Sequence, residues 1–170
     1  SESNFIALRC ILMLRIIKIM LVASVAAWAL LSGTVNLLDY EGGKAAVAQA
    51  MSMSLATGAT ATWRAIENPL LINLGYIFIW TIKYIAGALC AVSAANLWKN
   101  RNSSSFNDSK ELGLCGIGLA MFMLFFGFIV LSDTYFELWR DAGFGNAVTT
   151  KSLLYFSYIG IIGLFIAQPD

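Results

Sequence analysis

The chain has 170 residues, 59% of them hydrophobic and 12% charged, with a formal net charge of +1 and no histidine. Soluble domains carry about 25% charged residues, so this composition, with a mean hydropathy of +0.74, is that of a membrane protein, and it shows neither the basic face of a nucleic-acid binder nor the polar tracts of a disordered chain. Without histidine there is no His-ligated haem, no usual zinc or copper site and no Ser-His-Asp or Cys-His arrangement.

In chain order, "ALRCILMLRIIK" comes first. Arg9, Arg15 and Lys18 interrupt its apolar residues, so it reads as a basic interfacial lead-in and not as a cleavable signal. Its charges suit the anionic headgroups of a cytoplasmic leaflet. Residues 19–38 form the first apolar run, free of charge. Crossing a hydrocarbon core takes about 20 such residues in a helix.

Residues 39–71 are the one sizeable segment outside the spans. They are rich in Ala, Met and Leu, good helix formers, and carry a "GG" turn signal at Gly42 and Gly43 and a stop at Asn68–Pro69. A short amphipathic helix over the outer end of the bundle is expected. The second span, 72–97, contains a single charge, Lys83. A solvated polar loop, "KNRNSSSFNDSK", leads to the third, 112–132, and the fourth covers about 150–167. The fold class is therefore an all-α, four-transmembrane-helix bundle in one domain, with a partly helical outer loop between the first two spans.

Lys and Arg counts set the orientation. Arg9, Arg15, Lys18, Lys99, Arg101 and Lys110 fall on the side of the termini; Lys44, Arg64, Arg140 and Lys151 fall on the other, with most of the acids. Both termini are expected in the cytoplasm of a bacterium, across its inner membrane, or in the matrix of an organelle.

Lys83 is the residue that asks for an explanation. It lies roughly 16 Å from the start of its helix and roughly 20 Å from its end, beyond the ~6 Å reach of a lysine stem. Insertion scales charge about 2.5–3.5 kcal/mol for a lysine at the bilayer centre. No carboxylate occurs within another span. Three readings follow: bonds to hydroxyls such as those of Ser24, Ser93, Ser157 or Tyr158, or to water; a counter-charge on another chain or a lipid headgroup; or a place in a proton or ion path.

Small residues recur at four-residue spacing, Gly87, Ala91 and Ala95 with Ala86, Cys90 and Ala94 on the adjacent row, and Gly116 with Ala120. Such rows let helices approach closely, within the bundle or against a partner chain. Cys10, Cys90 and Cys115 have no C-x-x-C spacing, and the latter two read as small hydrophobes; no metal site is expected. The outer rim gathers Asp39, Trp63, Arg64, Glu67, Asp133, Glu137 and Trp139. Its aromatic residues read as interfacial anchors, Arg64 with Glu67 as an i, i+3 pair, and Asp133 with Glu137 either as a solvated acidic rim or as a cation site.

The chain resembles the bacterial "predicted small integral membrane protein" family of unknown function (domain of unknown function 2165). The similar features are "NLLDY" (36–40), "MSMS", "TWRAIENP", Lys110 to Gly113, "GF" at 127–128, "YFELW" (135–139) and the terminal Asp170. The resemblance covers roughly residues 15–170 and implies a membrane bundle with an ordered outer loop, with no known activity or cofactor. Members tend to carry an acid after the tryptophan of the second helix; here Thr81 follows Trp80 and the charge is Lys83, which puts any shared acid-dependent function in doubt.

The resulting expectation is a non-catalytic accessory, scaffolding or assembly subunit of a larger, possibly energy-converting, membrane complex. It would work without a cofactor, with lipids and other integral subunits as partners and without nucleic acid. The alternative is a small oligomeric channel or transporter that uses Lys83 or the acidic rim. No nucleophile–base pair supports an enzyme.

Overall fold

The computed structural model describes residues 2–169; Asp170, named above for the family resemblance, lies outside them. The helices are α1 (Glu2–Leu38), α2 (Tyr40–Met51), α3 (Pro69–Lys99), α4 (Glu111–Phe122) and α5 (Phe144–Ala167). Among the described residues four helical stretches are long and apolar enough to cross a membrane: Arg9–Leu38, Pro69–Lys99, Ser104–Tyr135 and Phe144–Ala167. The bundle is the expected four-helix one. Its helices differ from expectation in length: the lead-in is continuous with α1, and α5 starts six residues before 150, where Gly145 sits too close to Leu138 for any larger residue.

α3 starts where Pro69 occupies the first helical position and the Asn68 side chain accepts the N–H groups of Leu70 (2.9 Å) and Leu71 (3.4 Å). Proline has no N–H to leave unpaired there, and asparagine is a favoured cap. The "GG" pair makes no turn: α2 runs straight through it. A side chain at Gly43 would overlap the Tyr76 ring, and one at Gly42 would meet the Asp39 carboxylate at 2.5 Å. Gly43 lets α2 lie down on the end of α3, and Gly42 leaves room for the Asp39 carboxylate at the start of α2.

The core joins Val22, Val25 and Ala26 of α1 to Ala86, Cys90 and Leu97 of α3 and Ile117 and Ala120 of α4. α4 continues from Met123 to Tyr135 as a π-helix, in which Ser132 donates to the Gly127 carbonyl and Thr134 to the Ile129 carbonyl, each five residues back, at 2.9 Å. π geometry usually appears as single-turn bulges; here it occupies the whole half of the helix nearest α2. The run from 112 to 132 is apolar all round, so its periodicity could not distinguish the two helix types.

The segment after α2 is folded. Met53 and Ala56 bury themselves against Phe136, and the Ile66 N–H donates to the Met51 carbonyl at 2.8 Å. Met53 and Glu137 both adopt left-handed backbone, at φ 55° and 54°, a region that side chains with a Cβ seldom enter.

Candidate functional site

Lys83 lies at the seam of α1 and α3, and its depth differs from the sequence estimate. Gly87 packs on Leu30, and a Cβ on Gly33 would stand 3.5 Å from both Lys83 Cβ and the Tyr84 ring. Lys83 is therefore level with Gly33, five residues or about 8 Å before the end of α1. The midpoint of α3 is not the midpoint of the bundle, because the first turns of α3 project beyond α1 to carry α2, with Tyr40 donating to Asn73 Oδ1 at 2.6 Å. Lys83 Nζ reaches on toward that end, and with the Asn36 amide turned to satisfy both neighbours it donates to the Asn36 side-chain oxygen at 3.1 Å, while the amide nitrogen donates to the Ser32 carbonyl at 3.2 Å. The sequence reading named Ser24, Ser93, Ser157 and Tyr158 as partners; none lies at this seam. Asn36, visible in "TVNLLDY", was the polar residue to weigh, since it stands one turn beyond Gly33 toward the membrane surface.

The seam is short of acceptors. Trp80, Lys83 and Tyr84 share one face of α3 at i, i+3 and i+4. The Trp80 indole N–H is buried with no acceptor among the described residues. Among the described residues Lys83 has one neutral amide, that of Asn36, for its donors. The exposed Tyr84 and Thr34 hydroxyls bond one another at 3.0 Å, a polar spot between the exposed Leu31 and Val35.

Most of the small residues pack internally. A Cβ on Gly116 would meet the Ala86 carbonyl oxygen and Cys90 Sγ, both at 2.7 Å, and one on Gly113 would meet Ser93 Oγ at 2.7 Å. Gly87 and Ala120 are also buried. Ala91 is half-buried, and Ala95 faces outward. An unpredicted groove opens instead between α4 and α5, lined among others by Gly118, Met121, Ser157, Gly160 and Leu164, with about 540 Å³ of space. A Cβ on Gly118 would touch nothing within 4 Å.

At the α2 end the rim residues separate. Glu137 forms ion pairs with Arg64 and with Arg140, so Arg64 joins the post-α2 segment to the turn before α5 and does not pair with Glu67, which is exposed. Glu137 is 15% exposed. The hydrogen bonds from Arg140 and then Arg64 hold its carboxyl below the ordinary value of 4.5. Asp133 accepts from Thr149 at 2.8 Å, whereas Glu137 is held by the two arginines. Asp39, Trp63 and Trp139 are exposed.

At the opposite end, two cations placed on the surface by the sequence reading turn inward. Lys18 and Lys110 are 2% and 5% exposed and donate to the same Gln168 carbonyl, at 2.7 and 2.9 Å. Cations at a helix C-terminus are favoured by its dipole. Arg15 donates to the carbonyls of Arg101 and Ser103, both at 2.9 Å, and lies over Phe106. Both ends of the chain's bundle thus meet on one side.

Neither a curated protein nor a solved structure matches the chain. Residues 14–169 match the family described as "Predicted small integral membrane protein (DUF2165)", whose function is unknown. Four apolar spans and a match over nearly the whole chain make this protein a member of that family of integral membrane proteins.

Proposed function

We propose that the protein is a non-catalytic accessory or scaffolding subunit that holds a transmembrane helix of another integral membrane protein. The observation that carries this reading is the α4–α5 groove, whose open floor at Gly118, beside Gly160 packed on Met121, allows a helix backbone to approach closely. Between helices in lipid, such close packing is the main attraction. The half-buried Lys83 supports it from another face, since an acid or carbonyl on a neighbouring chain would accept from the ammonium donors that Asn36 leaves open. The side that carries both termini is proposed to face the cytoplasm of a bacterial inner membrane, by the excess of Lys and Arg on that side. The channel alternative draws no support from the two cavities described, both lined almost wholly by apolar side chains.

A photoreactive residue in place of Ser157, inside the groove, tests this in native membranes, with Leu31 on α1 as the comparison position. The reading expects one defined polypeptide adduct from position 157 that disappears when Gly118→Leu fills the groove. Lipid adducts alone at both positions, or a polypeptide adduct indifferent to Gly118→Leu, would overturn it.

A further inference from the structure

A second cavity, of about 180 Å³, lies beneath α2. Ala46 and Val47 of α2 roof it, Gly75 and Phe78 of α3 form one wall, and Gly127 and Leu131 of the π-helix the other. Small side chains make the roof, and glycines face the space from both walls; a Cβ on Gly127 would touch nothing within 4 Å. The one hydroxyl in the lining, Ser132, is already bonded to the Gly127 carbonyl, so the cavity presents hydrocarbon to a guest. Phe78, Leu131 and Phe144 line it and are also exposed on the surface of the bundle, which makes the space continuous with the surrounding acyl chains.

Its size and its charged neighbours narrow the guest further. An α-helix, about 10 Å across, does not fit under the roof. An apolar cavity of ~150 Å³ holds a guest the size of benzene, so this one takes a short run of methylenes. Two lining residues, Phe136 and Leu138, flank Glu137, where Arg64 and Arg140 share one carboxylate, so these three side chains carry one net positive charge; the exposed Glu67 makes no ion pair with Arg64, and Asp133 is bonded to Thr149. Asp141, the next acid along, is turned onto the first turn of α5, where it accepts from the Gly145 N–H at 2.7 Å. We propose that the cavity receives part of one acyl chain of an anionic membrane lipid, with the lipid's acidic headgroup at Arg64 and Arg140.

The full chain, purified in mild detergent and stripped of lipid, is given equal amounts of dioleoyl phosphatidylglycerol and dioleoyl phosphatidylcholine and weighed by native mass spectrometry. One phosphatidylglycerol is expected to remain bound, favoured over phosphatidylcholine about fivefold by the single excess charge. Gly127→Leu is expected to reduce retention about tenfold. Should that variant fail to fold, Ala46→Leu blocks the same space from the roof. Arg140→Gln is expected to keep a bound lipid and lose the headgroup preference, and Gly118→Leu, in the other groove, to change neither. The proposal is overturned if the wild type retains no lipid or both lipids equally, if the filled variants retain lipid as the wild type does, or if Arg140→Gln leaves the preference intact. None of these results depends on a partner subunit, so this test and that of the helix groove fail separately.

Discussion

At the end of the bundle that carries both termini, Gly113 and Gly116 bring α4 onto α3 with backbone carbonyl and side chain at 2.7 Å from where a Cβ would stand, Phe106 is fully buried, and Lys18 and Lys110 are drawn inside. At the α2 end the same two helices part: α4 widens into a π-helix, a cavity opens beneath α2, and two non-glycine residues hold left-handed backbone. The first end is closed by contacts that tolerate no added atom. The second is held by a small satellite core around Phe136 and by ion pairs on Glu137. Between α3 and α4, close packing belongs to the first end and room for a guest to the second, while the α4–α5 groove opens on another face of α4.

The largest effect should separate the closed face of α4 at the first end from its open face. Gly116→Leu must displace the Ala86 backbone and is expected to destabilise the bundle by about 3 kcal/mol, seen as a fall in the thermal midpoint in detergent. Gly118→Leu, two residues on, points into open space and should stay within about 0.5 kcal/mol of the wild type. Equal losses would erase the distinction.

Next in size is the clasp at the termini. Lys18→Met removes the donor to Gln168 and should cost about 2 kcal/mol, as for hydrogen bonds from charged groups. Carboxypeptidase digestion of the folded protein should speed up with it; an unchanged rate would show that the end is held by other contacts.

Lys83→Leu is expected to be milder for the fold, at about 0.6 kcal/mol, the usual worth of a polar contact between membrane helices. A gain of several kcal/mol would return Lys83 to the bilayer centre, where its charge is costly. Its larger effect should fall on assembly with partners, read by co-purification.

The smallest effect belongs to Glu137. Its carboxyl pKa is lowered in the folded protein, so its ion pairs add stability above the unfolded carboxylate value of about 4.3 and lose it as the pH falls through the folded value. Protection from hydrogen exchange across residues 60–67, measured relative to the intrinsic rate at each pH, should fall on acidification through that range, and Glu137→Gln should be weakly protected at every pH. Exchange indifferent to both would remove the ion pairs as the tether of this segment.

The spans and their number were legible because four long apolar runs admit few other structures. What the sequence hid was relative height and facing. Lys83 reads as central when its own helix is the ruler, whereas α3 outreaches α1 and so sets Lys83 within reach of Asn36. Lys18 and Lys110 are surface residues by type and become buried only because the end of α5 comes between them. Arg64 had a nearer acid in Glu67, and only the folding of the post-α2 segment brings Glu137 within reach. The "GG" pair carried a true signal, small size, attached to the wrong use.

The most direct test of the proposed role is extraction of the wild type and of Gly118→Leu from native membranes in mild detergent, followed by native-gel sizing and mass spectrometry of the bands. The account predicts that the wild type migrates with other integral membrane subunits in fixed proportion and that folded Gly118→Leu migrates without them. A wild-type chain that migrates alone, or a Gly118→Leu variant that keeps every companion, would contradict it.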